Sequence, residues 1–149
     1  MMIPIPGEKQ LYDWDCGVAC LYAIMKYYKQ DPAYKDLIAL SKQDKEWGIE
    51  PTTIKRIAET YNFKANIIED EPSILEVAIR QQKPLIVLYQ TNLTKDSGHY
   101  AIVCGIENRH IILSNPNKKE LTQYPAQNFL KRWRGAGTKN LAIFIYHLK

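Results

Sequence analysis

Three cysteines in 149 residues are odd in number and too few for a disulfide scaffold. The fold must hold without covalent staples, and the thiols read as reduced, in a cytosol-like compartment. No run approaches the ~18 unbroken apolar residues of a membrane helix, so membrane insertion is not expected. The opening MMIPIPGEKQ carries two prolines and lacks the long apolar stretch of a secretory signal. The chain is expected in the cytoplasm, or exported without a cleavable signal. There is no internal repeat, low-complexity tract or linker, so residues 1–149 read as one domain. An excess of one charge is also missing: 20 Lys and Arg face 16 Asp and Glu, for a net +4. Basic runs and aromatic RNA-binding signatures are absent, which excludes a nucleic-acid reader.

What is present suits a globular protein: 46% hydrophobic and 24% charged residues. A chain of this length buries about two-thirds of its unfolded surface. The first half reads helical. Asp15 is placed to cap a helix over about Cys16–Lys29, with Val18, Leu21, Tyr22 and Met25 on one buried face and Asp31-Pro32 as its stop. Further helices are expected over Ala33–Gln43, after Pro51 with Ile54, Ile57, Ala58 and Tyr61 aligned, and over about Ser73–Gln82. The second half reads as strands: Pro84–Gln90, Gly98–Gly105, Arg109–Ser114 and Asn140–Leu148, the middle two joined by a turn at Glu107-Asn108. A short helix over Ala126–Trp133 precedes the last strand, with Gly135-Ala136-Gly137 as the loop between. Helices first and antiparallel strands afterwards make an α+β fold, its N-terminal helical part packed on a C-terminal antiparallel sheet.

The informative segment is QLYDWDCGVACLYA, Gln10–Ala23. Cys16 sits where loop becomes helix, among unpaired backbone N–H groups and a partial charge of roughly +0.5. Both favour a thiolate. Gly17 leaves room for a substrate backbone beside the sulfur. If the loop folds back, the Gln10 side chain and the Cys16 N–H point at one oxygen and form an oxyanion hole, at ~3 kcal/mol per donor. His99, after Gly98 at the start of a strand, is the candidate acid/base. His99, Ala101 and Val103 are expected on one strand face, and Tyr100, Ile102 and Cys104 on the other. The hairpin returns Asn115 to the level of His99, where its amide oxygen can accept the second imidazole N–H and set the tautomer.

Other residues read more plainly. Cys20 and Cys104 are core, and His110 and His147 are ordinary strand histidines. A metal site from Cys16, Cys20 and His99 lacks C-x-x-C spacing, so no metal and no other cofactor is expected. Asp13 is solvated loop and Asp15 a cap. Trp14, Trp47, Phe129 and Trp133 can line a peptide groove. Packing suits Phe129 and Trp133 better, and Trp14, between Gln10 and Cys16, is the one placed to touch substrate. From Glu107 onward the bases Arg109, Lys118, Lys119, Lys131, Arg132, Arg134, Lys139 and Lys149 outnumber Glu107 and Glu120. That stretch reads as a solvated surface, or as a face for an acidic partner.

The order Gln10, then Asp15-Cys16-Gly17 with Ala19, then Gly98-His99 ahead of an apolar strand, then Asn115-Pro116, resembles the bacteriocin-processing (double-glycine) peptidases. These are papain-like cysteine peptidases, and the likeness runs in outline from Gln10 to Trp133. The resemblance implies a papain-like fold, an oxyanion glutamine at Gln10, a nucleophile at Cys16, a base at His99 and an orienting residue at Asn115. Family members usually carry aspartate at the last position, whereas the wider superfamily often uses asparagine. The change removes a negative charge beside the imidazolium. The resemblance also implies a substrate with small residues, such as Gly-Gly, before the cut in a leader peptide; Trp14 and Gly98 are the candidate substrate-binding residues. Relatives are commonly the N-terminal domain of an ABC transporter. This chain stops where that domain would stop, and has no G-x-x-x-x-G-K loop and no Gly-Gly pair of its own. The expectation is a stand-alone peptidase that works beside a separate transporter or has an unrelated substrate, without self-processing. Two alternatives share these residues: deamidation or transamidation of a glutamine side chain, and a catalytically weak peptide-binding module.

Overall fold

Helices with one apolar face have to cover a sheet, and here they cover both of its sides. The computed structural model describes residues 2–41, 48–91, 98–116, 121–135 and 139–147. Trp47, Lys118, Lys119, Glu120, Lys149, the end of the second helix near Gln43 and most of the Gly135-Ala136-Gly137 loop lie outside them.

In chain order the elements are α1 Cys16–Tyr27, α2 Tyr34–Ser41, α3 Pro51–Thr60, β1 Phe63–Ile68, α4 Ile74–Arg80, β2 Leu85–Gln90, β3 Gly98–Glu107, β4 His110–Ser114, β5 Leu121–Pro125, α5 Ala126–Gly135 and β6 Ala142–His147. The six strands form one antiparallel sheet in the order β1-β6-β2-β3-β4-β5. One face carries α1, α2 and α3, over a cluster that includes Ile86, Tyr100, Ile102, Ile143 and Ile145. The other carries α4 and α5 over Val87, Tyr89, Ala101, Val103 and Leu113, with Phe129 and Trp133 of α5 in the same cluster. The N-terminal helices α1, α2 and α3 thus pack on an antiparallel sheet as expected, and α4 and α5 cover its second face.

α1 also differs from its predicted pattern. It buries Cys16, Gly17, Val18, Ala19, Cys20, Leu21, Ala23, Ile24 and Met25, so it is enclosed nearly all round and not merely on one face. Leu21, Ile24 and Met25 are fully buried, each worth about 1.5–3 kcal/mol of burial. The helix closes where Lys29 turns to φ 65° and the Gln30 N–H reaches back to the Met25 carbonyl.

Two strands escape the sequence reading. In β1 the inward residues are Phe63 and Ala65, with Lys64 and Asn66 outward; Ala and Asn are poor strand formers. β5 is an edge strand with no fully buried residue, so it shows no apolar run. The hairpin between β3 and β4 is as expected, but its turn falls one residue later than Glu107-Asn108, since Glu107 pairs with His110. Asn108 and Arg109 have φ of 50° and 62°, the pair of positive values that a two-residue hairpin of the right twist needs.

Candidate functional site

Three segments meet at one end of the sheet: the Gln10–Asp15 loop leading into α1, the start of β3, and the residues after β4. The Gln10 backbone N–H donates to the Pro116 carbonyl at 2.8 Å, so the first segment is tied to the third.

Asp15 organises the loop. It stands at the N-cap position of α1 but makes no side-chain cap bond. Its fully buried carboxylate instead accepts the Leu11 N–H at 3.0 Å, the Tyr12 N–H at 2.8 Å and the Tyr34 hydroxyl at 2.7 Å. The predicted cap is thus a staple that folds the loop back. Three donors offset the cost of burying the charge.

The loop so held presents Gln10 half-buried. Its Nε2 donates to the Tyr12 carbonyl at 2.6 Å, and its Oε1 is buried with no partner among the described residues. Trp14 is 7% exposed, stacked against Tyr12 with ring centroids 5.4 Å apart. The exposed apolar surface of this loop is Leu11 and Tyr12, at 67% and 52%. Sequence reasoning passed over both. The unusual exposure of two large apolar side chains is visible only once the loop is built.

Cys16 opens α1 and is 9% exposed. The backbone N–H of Tyr100, the residue after His99, faces its sulfur, as do the N–H groups of Gly17 and of Cys16 itself. These donors lower the thiol pKa as the helix-start argument expects. Burial acts in the opposite direction and is the largest influence, the Asp15 charge adds to it, and the net result is a raised pKa. The resting form is a thiol, not the thiolate expected from helix position. Gly17 also departs from expectation. A Cβ there would lie 2.9 Å from Ile54 Cδ1 and 3.0 Å from Ile49 Cδ1, so the missing side chain lets α1 pack on α3.

His99 lies on the other sheet face, near the strand start. Its Nε2 is 2.6 Å from Asn115 Oδ1. An amide oxygen only accepts, so Nε2 carries the proton and Nδ1 holds the lone pair. Burial lowers the His99 pKa, and the Asn115 contact offsets part of that. At neutral pH the imidazole is therefore neutral.

This meeting depends on a β-bulge. Near the turn, Glu107 pairs with His110, Ile106 with Ile111 and Gly105 with Ile112. Carried on without interruption, that register sets Asn115 opposite Ile102, on the face away from His99. The register shifts between Val103 and Gly105, after which Val103 pairs with Leu113 and Ile102 with Ser114. Continued, this places Asn115 opposite Ala101, on the same face as His99 and one diagonal away. The bulge also moves Cys104 onto the Ala101 and Val103 side, against the predicted alternation. The Cys104 carbonyl accepts the Ile3 N–H at 2.6 Å, so the N-terminal segment holds the bulge.

Asn115 is buried, and its Nδ2 donates to the Tyr89 hydroxyl at 2.9 Å. Tyr89 pairs with His99 across β2 and β3, its ring edge-on to the imidazole at 5.9 Å. Nothing in the apolar run PLIVLYQ marked this tyrosine; the Gln90–Gly98 hairpin register would have found it. Gly98 is exposed, and a Cβ there would sit 3.3 Å from Leu88 Cδ1. Cys20 and Cys104 are buried in the core as expected. His110 bonds the Asn108 carbonyl and His147 packs on Phe63, so neither enters the site. Arg132 lies over the Tyr124 ring and donates to the Gln90 and Thr91 carbonyls; it is not simply solvated.

Comparison with known proteins points to one place. The Peptidase C39 family model matches residues 5–138. The peptidase domain of Streptococcus ComA, a bi-functional ABC transporter involved in a quorum-sensing pathway, superposes with a TM-score of 0.79 at 26% identity, covering 95% of this chain and 97% of that one. A double-glycine-motif protease from an AMS/PCAT transporter, solved with its leader peptide, has the same fold: TM-score 0.78, 17% identity, 99% and 94% coverage. The sublancin-168-processing and transport ATP-binding protein SunT of Bacillus subtilis is 25% identical over 122 residues, which are 81% of this chain and 17% of that protein. This chain thus spans about a sixth of the relative's length. No helix among the described residues is long and apolar enough to cross a membrane.

Proposed function

We propose, from the premise that this chain belongs to the Peptidase C39 family and is a cysteine peptidase, that Cys16 is its nucleophile and that Gln10, His99 and Asn115 complete the site. The observation that carries this is the 2.6 Å contact of His99 Nε2 with Asn115 Oδ1 on the strand whose next residue, Tyr100, faces the Cys16 sulfur. It leaves Nδ1 as the basic nitrogen.

Because the thiol and the imidazole both rest neutral, the first step is proton transfer from Sγ to Nδ1 as the sulfur attacks the peptide carbonyl. The oxyanion is met by the Cys16 N–H and by Gln10, whose Nε2 has a second hydrogen beyond the one held by Tyr12. His99 then returns its proton to the leaving amine, and the thioester remains. Water, deprotonated by Nδ1, releases the acid. Asn115 keeps Nε2 as donor throughout. An uncharged orienter leaves the imidazolium less stabilised than a carboxylate would, which suits transient rather than resting protonation.

The substrate supported by the relatives is a leader peptide with small residues, Gly-Gly among them, before the cut. Gly98, next to His99, is exposed at the start of β3. Leu11 and Tyr12 supply an apolar wall where Trp14, beneath Tyr12, supplies packing. The partners are a peptide substrate and a transporter, and the cytoplasm is where such a peptide is made. Residues 1–149 act as one domain, with no cofactor in any step.

The test is a synthetic leader peptide bearing Gly-Gly, incubated with the protein and with Cys16→Ala and read by mass spectrometry. Cleavage after the glycines by the parent alone is expected. A mass gain matching conversion of a glutamine amide to an acid, with the backbone intact, identifies a deamidase instead. Equal binding by both proteins without any cleavage identifies a peptide-binding module.

A further inference from the structure

Beyond the four residues above, the geometry points to Tyr89 as a positioning residue for the same reaction: its hydroxyl, accepting from Asn115 Nδ2, fixes which way round the Asn115 amide sits, and so which nitrogen of His99 carries the proton. The inference rests on the peptidase reading for its kinetic consequence, and on the structure alone for its effect on the tautomer.

An asparagine amide is ambivalent. Turned over, it would offer Nδ2 to His99 and Oδ1 to Tyr89. His99 would then have to present a lone pair at Nε2 and carry its proton on Nδ1, where a base for Cys16 is needed. The His99 contact by itself does not choose between these arrangements, since either ring nitrogen can be the protonated one. A group able to make the choice stands at the far end of the amide: the Tyr89 hydroxyl, 2.9 Å from Nδ2.

Tyr89 is itself held. It is fully buried, with Phe129 at 5.9 Å and Tyr124 edge-on at 6.0 Å between ring centroids. Burial and the Tyr124 side chain keep its phenol protonated, well above the ordinary range. Donation of its O–H to the Tyr124 side chain, one of the causes that hold the phenol protonated, leaves the oxygen to accept from Asn115. Protons then run one way along the chain: His99 Nε2–H to Asn115 Oδ1, Asn115 Nδ2–H to the Tyr89 hydroxyl, and the Tyr89 O–H toward Tyr124. Bonds aligned in this way reinforce one another in a buried setting. Arg132, stacked 4.9 Å from the Tyr124 ring centroid and tied to the Gln90 and Thr91 carbonyls, anchors the outer end.

The position suits the role. Tyr89 pairs with His99 across the β2–β3 hairpin and reaches Asn115 from below the same sheet face. Phenylalanine fills nearly the same volume, so removing the hydroxyl removes the bond and leaves the packing.

The experiment follows His99 by imidazole 15N NMR in the intact protein and measures peptide cleavage alongside, in the parent, Tyr89→Phe, Asn115→Ala and the double variant. The parent is expected to show neutral His99 protonated on Nε2. Tyr89→Phe should give a mixture of tautomers and a kcat lower by about five- to tenfold at unchanged KM. In the Asn115→Ala background the same substitution should change neither quantity, because the hydrogen-bonded route through Asn115 is gone while the Tyr89 ring contact with His99 is kept by phenylalanine. A parent-like tautomer and kcat in Tyr89→Phe, or losses that multiply in the double variant, overturn the inference. Tyr124→Phe is a second probe: it frees the Tyr89 O–H to turn and should broaden the tautomer distribution without touching Asn115. An unchanged distribution there removes Tyr124 from the chain. If Cys16→Ala still cleaves, the peptidase reading fails instead, and the tautomer measurement still decides the role of Tyr89.

Discussion

On one face of the sheet Cys16 arrives at the head of a helix so enclosed that packing leaves it little freedom; on the other, His99 and Asn115 arrive from strands whose side chains could have pointed either way. The first half of the site is placed by apolar volume: Gly17 against Ile49 and Ile54, Leu21, Ile24 and Met25 fully buried. The second half is placed by register and by polar partners: the bulge between Val103 and Gly105, then Asn115 between His99 and Tyr89. The same burial that positions the thiol holds its proton on, and the same burial that shelters the imidazole keeps it neutral. On the mechanism proposed above, the two faces supply a neutral pair that only the substrate converts into an ionic one.

The sharpest way to break this comparison is to remove one member from each face. Cys16→Ala and His99→Ala should each lower peptide cleavage by more than about a thousandfold. The combined variant should be no worse than either, because the two act as one unit. Losses that multiply would mean independent contributions. The unfolding free energy in urea should change by no more than about 1 kcal/mol in Cys16→Ala, separating chemistry from packing.

Asp15 couples the faces through the loop, so its neutral isostere is the next largest effect. Asp15→Asn turns one acceptor of the Leu11, Tyr12 and Tyr34 staple into a donor facing a donor. A cost of about 1–3 kcal/mol is expected in urea unfolding. The same change removes a charge that raises the Cys16 thiol, so alkylation by iodoacetamide at a fixed, mildly acidic pH should become faster. Loss of stability with a gain in thiol reactivity is a signature that a purely structural carboxylate elsewhere would not give.

Helix packing alone is probed by Gly17→Ala. Helix propensity favours alanine by about 1 kcal/mol, whereas overpacking costs about 1–3 kcal/mol. A net loss of about 1 kcal/mol is expected, since the added Cβ meets Ile54 Cδ1 at 2.9 Å. Ile54→Val deletes that atom, so the loss should shrink in its background. An unchanged loss would place the strain at Ile49.

How much of this was legible beforehand follows the same division. Helical spacing and the Asp15-Cys16-Gly17 sequence were enough to find α1 and its first residue, because burial leaves a periodic trace. The His99–Asn115 pairing was reachable from the Gly98-His99 and Asn115-Pro116 positions around a short hairpin. The bulge that makes it work was not, since Cys104-Gly105 reads as ordinary strand. Asp15 as a loop staple, Tyr89 behind Asn115, and the exposure of Leu11 and Tyr12 were invisible for one reason: each depends on segments distant in sequence. β1 and β5 were missed because Ala65, Asn66 and Gln123 weaken the strand signal and pairing with a neighbour supplies what propensity lacks.

The smallest expected effect concerns pH, and it separates the faces by sign. His99 has a lower pKa folded than unfolded, so the unfolded chain binds more protons below about pH 6.5. The stability it contributes is complete above that value and is lost as the pH falls through it. Cys16 is the reverse. Its pKa is higher when folded, so its contribution is complete below the ordinary thiol range and is lost as the pH rises through it. Cys20 and Cys104, the latter pushed up to about 11, act in the same alkaline direction, so that limb is shared among three thiols. The acid limb near pH ~6.5 is the cleaner reporter. His99→Gln should flatten it in a urea series run across that pH, and Cys16→Ala should leave it as it was. An acid limb that persists in His99→Gln would mean that the imidazole is not held neutral by burial, and the neutral-pair picture of the site would go with it.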